Sequence, residues 1–286
     1  MIHAPIRPRL PRLTDRLPLG GSGLFVSPFC LGMTQDPRVV LEAFDQGVNF
    51  FFVTADLHWP LYEGLRSGLA QLFARPGVRA QCVVAVVSYL EEPLFRYLQF
   101  HEVLAQVPGL AYVDLVLAGA VSSLESLNAR LPPMYTARTL GSLGTRAVGA
   151  TFHDRGTALL SANANCMDIQ FIRYNSAHPG ARTDIFPLLT APRRSLLFNF
   201  KSMLGLLSAR AALGEHAAAL APTDAYRFVL STPYVDGALL SPQSPQEVRD
   251  LVRMTEQEPF TPAEQECLIA LSAAGNQLTS AALQVA

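Results

Sequence analysis

One lysine, Lys201, stands against 21 arginines in a chain of 286 residues. Any chemistry that needs an amine side chain must therefore come from a single position. Charge of either sign is scarce, at 16% of residues with a net charge of −1, so nothing draws the protein electrostatically to nucleic acid or to an anionic membrane. The longest apolar runs, such as Cys82 to Val87, have the length of strands and fall far short of the ~20 residues of a membrane helix. Cysteines number four, scattered and without a Cys-x-x-Cys pair, which points to reduced core thiols rather than a zinc site or a disulfide frame. No metal is expected. Arg7, Arg9, Arg12 and Arg16 lie among prolines with no apolar stretch and no small-residue cleavage site, so residues 1–16 read as a short disordered lead-in and the protein as cytoplasmic.

Half of the residues are apolar, enough for a large core. Short β-branched or aromatic runs recur, each followed by an amphipathic helical segment. They are Phe29 to Met33, Val48 to Thr54, Cys82 to Tyr89, Val113 to Gly119, Ala147 to Phe152, Asp168 to Asn175, Ser195 to Phe200 and Gly237 to Ser241. Strands in strict alternation with helices predict an α/β fold, a single (β/α)8 TIM barrel domain spanning residues 1–286. Ahead of them, Leu17 to Ser27 reads as a β-hairpin whose turn is supplied by Gly20, Gly21 and Gly23.

Several stretches are similar, in order, to those of one family. Allowing one extra Phe, Gly47-Val48-Asn49-Phe50-Phe51-Phe52-Val53-Thr54-Ala55 resembles the second barrel strand of the aldo-keto reductases. Leu31-Gly32-Met33, Arg146 to Ala150, Arg173 to Ala181, Tyr226 to Ser231 and Phe260 to Gln265 also resemble that family, with Thr261 placed to cap the last helix. The resemblance implies a barrel closed at its bottom by the hairpin. It also implies carbonyl reduction with NADPH, by an Asp, a Tyr, a Lys and a His at the strand ends. On this alignment the four positions read Val53, His58, Ser88 or Tyr89, and Ala118 or Gly119. The residues that hold the dinucleotide read Ser241, Gln243, Leu251 and Thr151-Phe152, so the sequence leads one to expect no cofactor, with NADPH as the alternative.

Residues at strand ends on the C-terminal side make the candidate site. His58 with Asp56 two residues earlier suits a general acid or base and its orienting carboxylate, and Tyr62 is a further candidate catalytic group. Trp59, Tyr89, His153, Arg173, Asn175 and Lys201 are the candidate substrate-binding residues. Arg173 and Lys201 offer charge for a carboxylate or phosphate, although Arg173 has Asp184 as a possible scaffold partner. Three functions stay open. The first is a biosynthetic tailoring enzyme doing cofactor-independent acid/base work on a small molecule, such as dehydration, isomerisation or cyclisation. The second is a divergent NADP(H)-dependent reductase of a carbonyl or imine, and the third a non-catalytic relative that binds a ligand or partner.

Overall fold

A computed structural model describes residues 7–285 except 55, 57, 93–97 and 191–194. It opens with an antiparallel hairpin of β1 (Leu17–Leu19) and β2 (Leu24–Val26). The strands that follow are β3 (Phe29–Leu31), β4 (Phe50–Thr54), β5 (Val83–Ser88), β6 (Leu115–Val121), β7 (Ala147–Phe152), β8 (Ile169–Arg173), β9 (Leu196–Phe200) and β10 (Gly237–Leu240). All pair in parallel, and β10 closes on β3 to complete an eight-stranded barrel. Between them lie α1 (Arg38–Asp45), α2 (Glu63–Phe73), α3 (Leu98–Gln106), α4 (Leu124–Leu140), α5 (Arg155–Ala164), α6 (Ala181–Asp184), α7 (Ser202–Leu213) and α8 (Asp224–Leu230), followed by α9 (Pro245–Met254) and α10 (Pro262–Val285). No described helix is long and apolar enough to cross a membrane.

Each strand expected from the sequence is present, with ends unchanged or shifted by one or two residues. The largest shift is in β6, which runs on to Val121 through a bulge where Ala120 takes a left-handed conformation at φ 54° and donates its N–H to Thr151 Oγ1 at 2.7 Å. The hairpin is tied to the start of the barrel by Asn49, whose side chain accepts from Ser27 N at 2.7 Å and donates to Phe25 O at 2.9 Å. Thr261 and Glu264 cap α10 reciprocally: the Glu264 carboxylate accepts from Thr261 N at 2.7 Å while Thr261 Oγ1 accepts from Glu264 N at 3.3 Å.

The lead-in is not disordered over its described part. Leu10 and Leu13 are buried in the core, and Arg7 anchors the chain by donating to Thr232 O and Val235 O. Apolar side chains between the prolines are what bind this segment, and the arginine count conceals them. All four cysteines are free thiols, with Cys30 and Cys82 buried as expected.

Ring contacts fix which side chains face the barrel interior. Phe50 packs on Phe171 and Phe198 at centroid distances of 6.4 and 5.6 Å, and Phe52 on Phe171 at 5.4 Å. Alternation along the paired strands then places Thr54, Val87, Gly119, Thr151, Arg173 and Phe200 on the inner face near the C-terminal ends. Phe51 and Val53 point outward into the helices. The inward neighbour of Thr54 at the top of β4 is thus Phe52, and Val53, which the alignment sets at the family's Asp, faces the helices.

Candidate active site at the barrel mouth

The floor of the mouth is aromatic. Phe52 lies against Phe171 below and against Tyr62 at 6.4 Å, so solvent entering from the C-terminal end meets rings rather than a channel. Tyr62 is buried, 4% exposed, and burial drives its hydroxyl pKa well above the usual range, with Tyr89, Cys30 and Asp56 adding to the effect.

Tyr89, just past the end of β5, is the centre of one half of the rim. Gly119 makes room for it: a Cβ at that position would stand 2.6 and 2.7 Å from Tyr89 Cδ1 and Cε1. Asp56 accepts Tyr89 N through Oδ2 at 2.7 Å and Thr54 Oγ1 through Oδ1 at 2.6 Å. Its carboxylate is therefore taken, and the Asp56–His58 pair expected from their spacing does not form. His58 is exposed and sets its ring edge-to-face on Tyr89 at 5.5 Å. Burial, with Asp56 adding and Arg130 opposing, pushes the Tyr89 pKa up to about 12.

Arg130 has no counterpart among the residues singled out from sequence. It comes from α4, is 5% exposed, and donates from Nη1 to Gly119 O at 2.6 Å and from Nη2 to Ser88 O. It thus clamps the ends of β5 and β6 behind Tyr89. Its signal was present in the spacing: Leu127, Arg130, Leu131 and Met134 form the buried stripe of α4, with a charged residue on an apolar face.

Trp59 stays on the outer rim, 44% exposed, with the Arg66 guanidinium over its ring at 4.4 Å and Arg66 Nη1 donating to its carbonyl at 2.7 Å. It does not join Phe52, Tyr62 and Tyr89 in one aromatic pocket. Of the remaining histidines, His101 and His216 are exposed on helical segments.

The opposite half of the rim, at β7 to β9, is cationic. Arg173 ends β8 on the inner face and is half-buried; Lys201 follows β9, exposed, in the left-handed conformation at φ 60°. Asn175, 1% exposed, holds that turn. Its Nδ2 donates to Lys201 O at 2.8 Å while its Oδ1 accepts from Ala177 N and His178 N at 3.0 and 2.9 Å, so it positions the loops rather than lining the mouth. Asp184 is not the partner of Arg173, since its carboxylate is bound by Arg155 at 2.6 Å. Neither Arg173 nor Lys201 makes an ion pair among the described residues. Desolvation, followed by the charges of Lys201 and Arg173, lowers the pKa of His153; the same causes, Arg173 ahead of Lys201 and then Arg155, lower that of His178. His153 thus stands with these cations and far from Asp56 around the barrel, and no described group of acids, histidines and cysteines forms a metal site.

Beside the end of β10 a hollow of about 500 Å³ opens between α7, α8 and α9. Met203, Pro222 and Leu251 give it apolar walls, and Thr223, Tyr226 and Ser241 give it hydroxyls. Glu247, Asp250 and Arg253 add charge to its lining. The N-terminus of α9 beside it is already served by an acid, because Glu247 accepts Gln243 N at 2.9 Å. Gln243 spans from there to the first barrel loop, donating to Met33 O at 3.2 Å and accepting from Gln35 N at 3.3 Å.

This architecture is the aldo-keto reductase fold. An aldo-keto reductase of Bacillus halodurans solved in its holo form superposes with a TM-score of 0.69 at 17% identity, covering 91% of this chain and 97% of the other. A Pseudomonas aeruginosa protein assigned to the aldo-keto reductases superposes with a TM-score of 0.62 at 20% identity, over 87% of this chain and 97% of the other. No family model and no curated protein matches the sequence. The expectation of a site without a cofactor is contradicted by these likenesses, since the fold is shared with aldo-keto reductases, one of them solved in holo form.

Proposed function

We propose that this protein is a nicotinamide-dependent oxidoreductase that reduces a carbonyl or imine on a small molecule, with NADPH as the donor that the family resemblance implies. The observation that carries the reading is Tyr89, seated over Gly119 at the mouth of a barrel of this fold with His58 edge-on beside it. When bound, the nicotinamide supplies a hydride to the carbonyl carbon. Tyr89, with a pKa of about 12, stays protonated at neutral pH, hydrogen-bonds the carbonyl oxygen and gives it the proton that completes the alcohol. Arg130, close behind, stabilises the negative charge that this leaves on the Tyr89 oxygen. Asp56 holds the Tyr89 backbone in place, and His58, open to solvent, returns the proton. Tyr62 and Phe52 keep water from below, and Met203, Tyr226 and Leu251 would hold the adenosine half.

Oxidation of NADPH and NADH in the presence of a panel of small aldehydes and ketones tests the proposal. Tyr89→Phe is expected to lower turnover by ~10² to 10⁴ and His58→Ala by less, the range for loss of a general acid and of its supply. Turnover by Tyr89→Phe at the wild-type rate would remove Tyr89 from the reaction.

A further inference from the structure

We infer that Arg173 and Lys201, with His153 and His178 beside them, form a binding site for an oxyanion, a carboxylate or phosphate carried by the substrate. Two cations at one end of a barrel, on a chain with a single lysine, have no acid to neutralise them among the described residues. Elsewhere the chain pairs its arginines readily: Arg155 with Asp184, Arg79 and Arg146 with Asp114, Arg182 with Glu266. Arg173 faces the barrel interior from the end of β8, half-buried, where a guanidinium without a counter-ion is costly unless a ligand supplies one. Lys201 is held in a left-handed conformation that a non-glycine residue rarely adopts, and the buried Asn175 is committed to keeping it there. Desolvation first and these cations second lower the pKa of both histidines, which favours their neutral, hydrogen-bonding form beside the two charges.

The position sets the substrate class. In the strand order β10-β3-β4-β5-β6-β7-β8-β9, the pair β8 and β9 lies diametrically across the barrel from β4 and β5, which carry His58 and Tyr89. Resting on the reductase reading, a substrate anchored at Arg173 and reduced at Tyr89 is a carbonyl compound with its anionic group at the far end. Keto acids, aldehyde acids and phosphorylated aldehydes meet that description, and neutral alkanals do not.

The test uses the full chain and inorganic phosphate, with acetate as the carboxylate probe, and follows the ring signals of His153 and His178 by NMR through a pH titration. Saturable binding is expected to raise both histidine pKa values beyond anything an equal ionic strength of chloride does. Arg173→Gln with Lys201→Gln should weaken the probe by at least tenfold. Lys201→Gln alone, at an exposed position, should still weaken it severalfold if the double variant fails to fold. A response no larger than that of chloride, or one unchanged in Lys201→Gln, overturns the site. NADPH then separates the sources: phosphate that still binds to the NADPH-loaded protein supports the substrate assignment, and phosphate displaced by NADPH gives these cations to the dinucleotide and overturns it. Failure of NADPH to bind at all would count against the reductase reading and leave the phosphate result standing.

Discussion

Gly119→Ala probes the placement of Tyr89. The new Cβ would lie 2.6 and 2.7 Å from two ring carbons of Tyr89 and 2.8 Å from Val87 Cγ2. Carbon atoms in good contact sit ~3.5–4.0 Å apart, so the ring must retreat by about 1 Å. Val87 lies in a fully buried strand and cannot retreat, whereas Tyr89 stands at the rim and can. Overpacking of this kind costs ~1–3 kcal/mol, and a 1 Å displacement of a catalytic group costs ~10² in rate. The measurement is a double-mutant cycle in urea with wild type, Gly119→Ala, Tyr89→Ala and the double variant, scored as free energy of unfolding. The alanine at 119 should destabilise clearly when Tyr89 is present and much less when it is absent, with a coupling of ~0.5–3 kcal/mol. Equal destabilisation in both backgrounds would mean that the ring does not occupy the space over Gly119, and the proposed proton donor would be misplaced.

Three further outcomes follow from the same contacts. Arg130→Met should destabilise by at least ~2 kcal/mol, because Ser88 O and Gly119 O lose their donor in a buried place, and Arg130→Lys should rescue only in part since a single ammonium does not reproduce the planar guanidinium; thermal melts report both. Leu10→Ala and Leu13→Ala should each cost ~2–5 kcal/mol in denaturant unfolding, where a disordered lead-in would give no change. His153 and His178 have folded pKa values below their unfolded ones, so the folded state binds fewer protons, stability rises with pH, and it is lost as pH falls through the unfolded value of ~6.5. Lys201→Met should make that acid loss smaller, read as the slope of melting temperature against pH.

Much of the barrel was legible because its strands are short β-branched or aromatic runs punctuated by helices. Ala147–Phe152 even begins and ends where the sequence put it. Which residues at the top of β4 face inward was not legible, for a physical reason. Phe50 to Thr54 is buried on both faces, so the run contains no polar alternation to tell the inward residues from the outward ones. The site was harder to read. Asp56 next to His58 looks like a dyad from spacing, but the carboxylate is taken by Thr54 and by the Tyr89 backbone from a strand 33 residues on. Arg173 looks paired until Arg155 is seen to hold Asp184. The importance of Gly119 lay in what it does not fill, which only a neighbour's position reveals.

The most direct measurement of the central claim is an equilibrium titration of the full chain with NADPH and, separately, NADH, followed by quenching of protein fluorescence. Trp59, the single tryptophan, stands on the rim of the mouth and supplies the signal. A nicotinamide-dependent oxidoreductase should bind one of the two with a dissociation constant of ~1–100 µM, −8.2 to about −5.5 kcal/mol. Replacing Leu251 with Asp in the wall of the hollow should abolish that binding. The absence of saturation by either dinucleotide into the millimolar range would contradict the assignment.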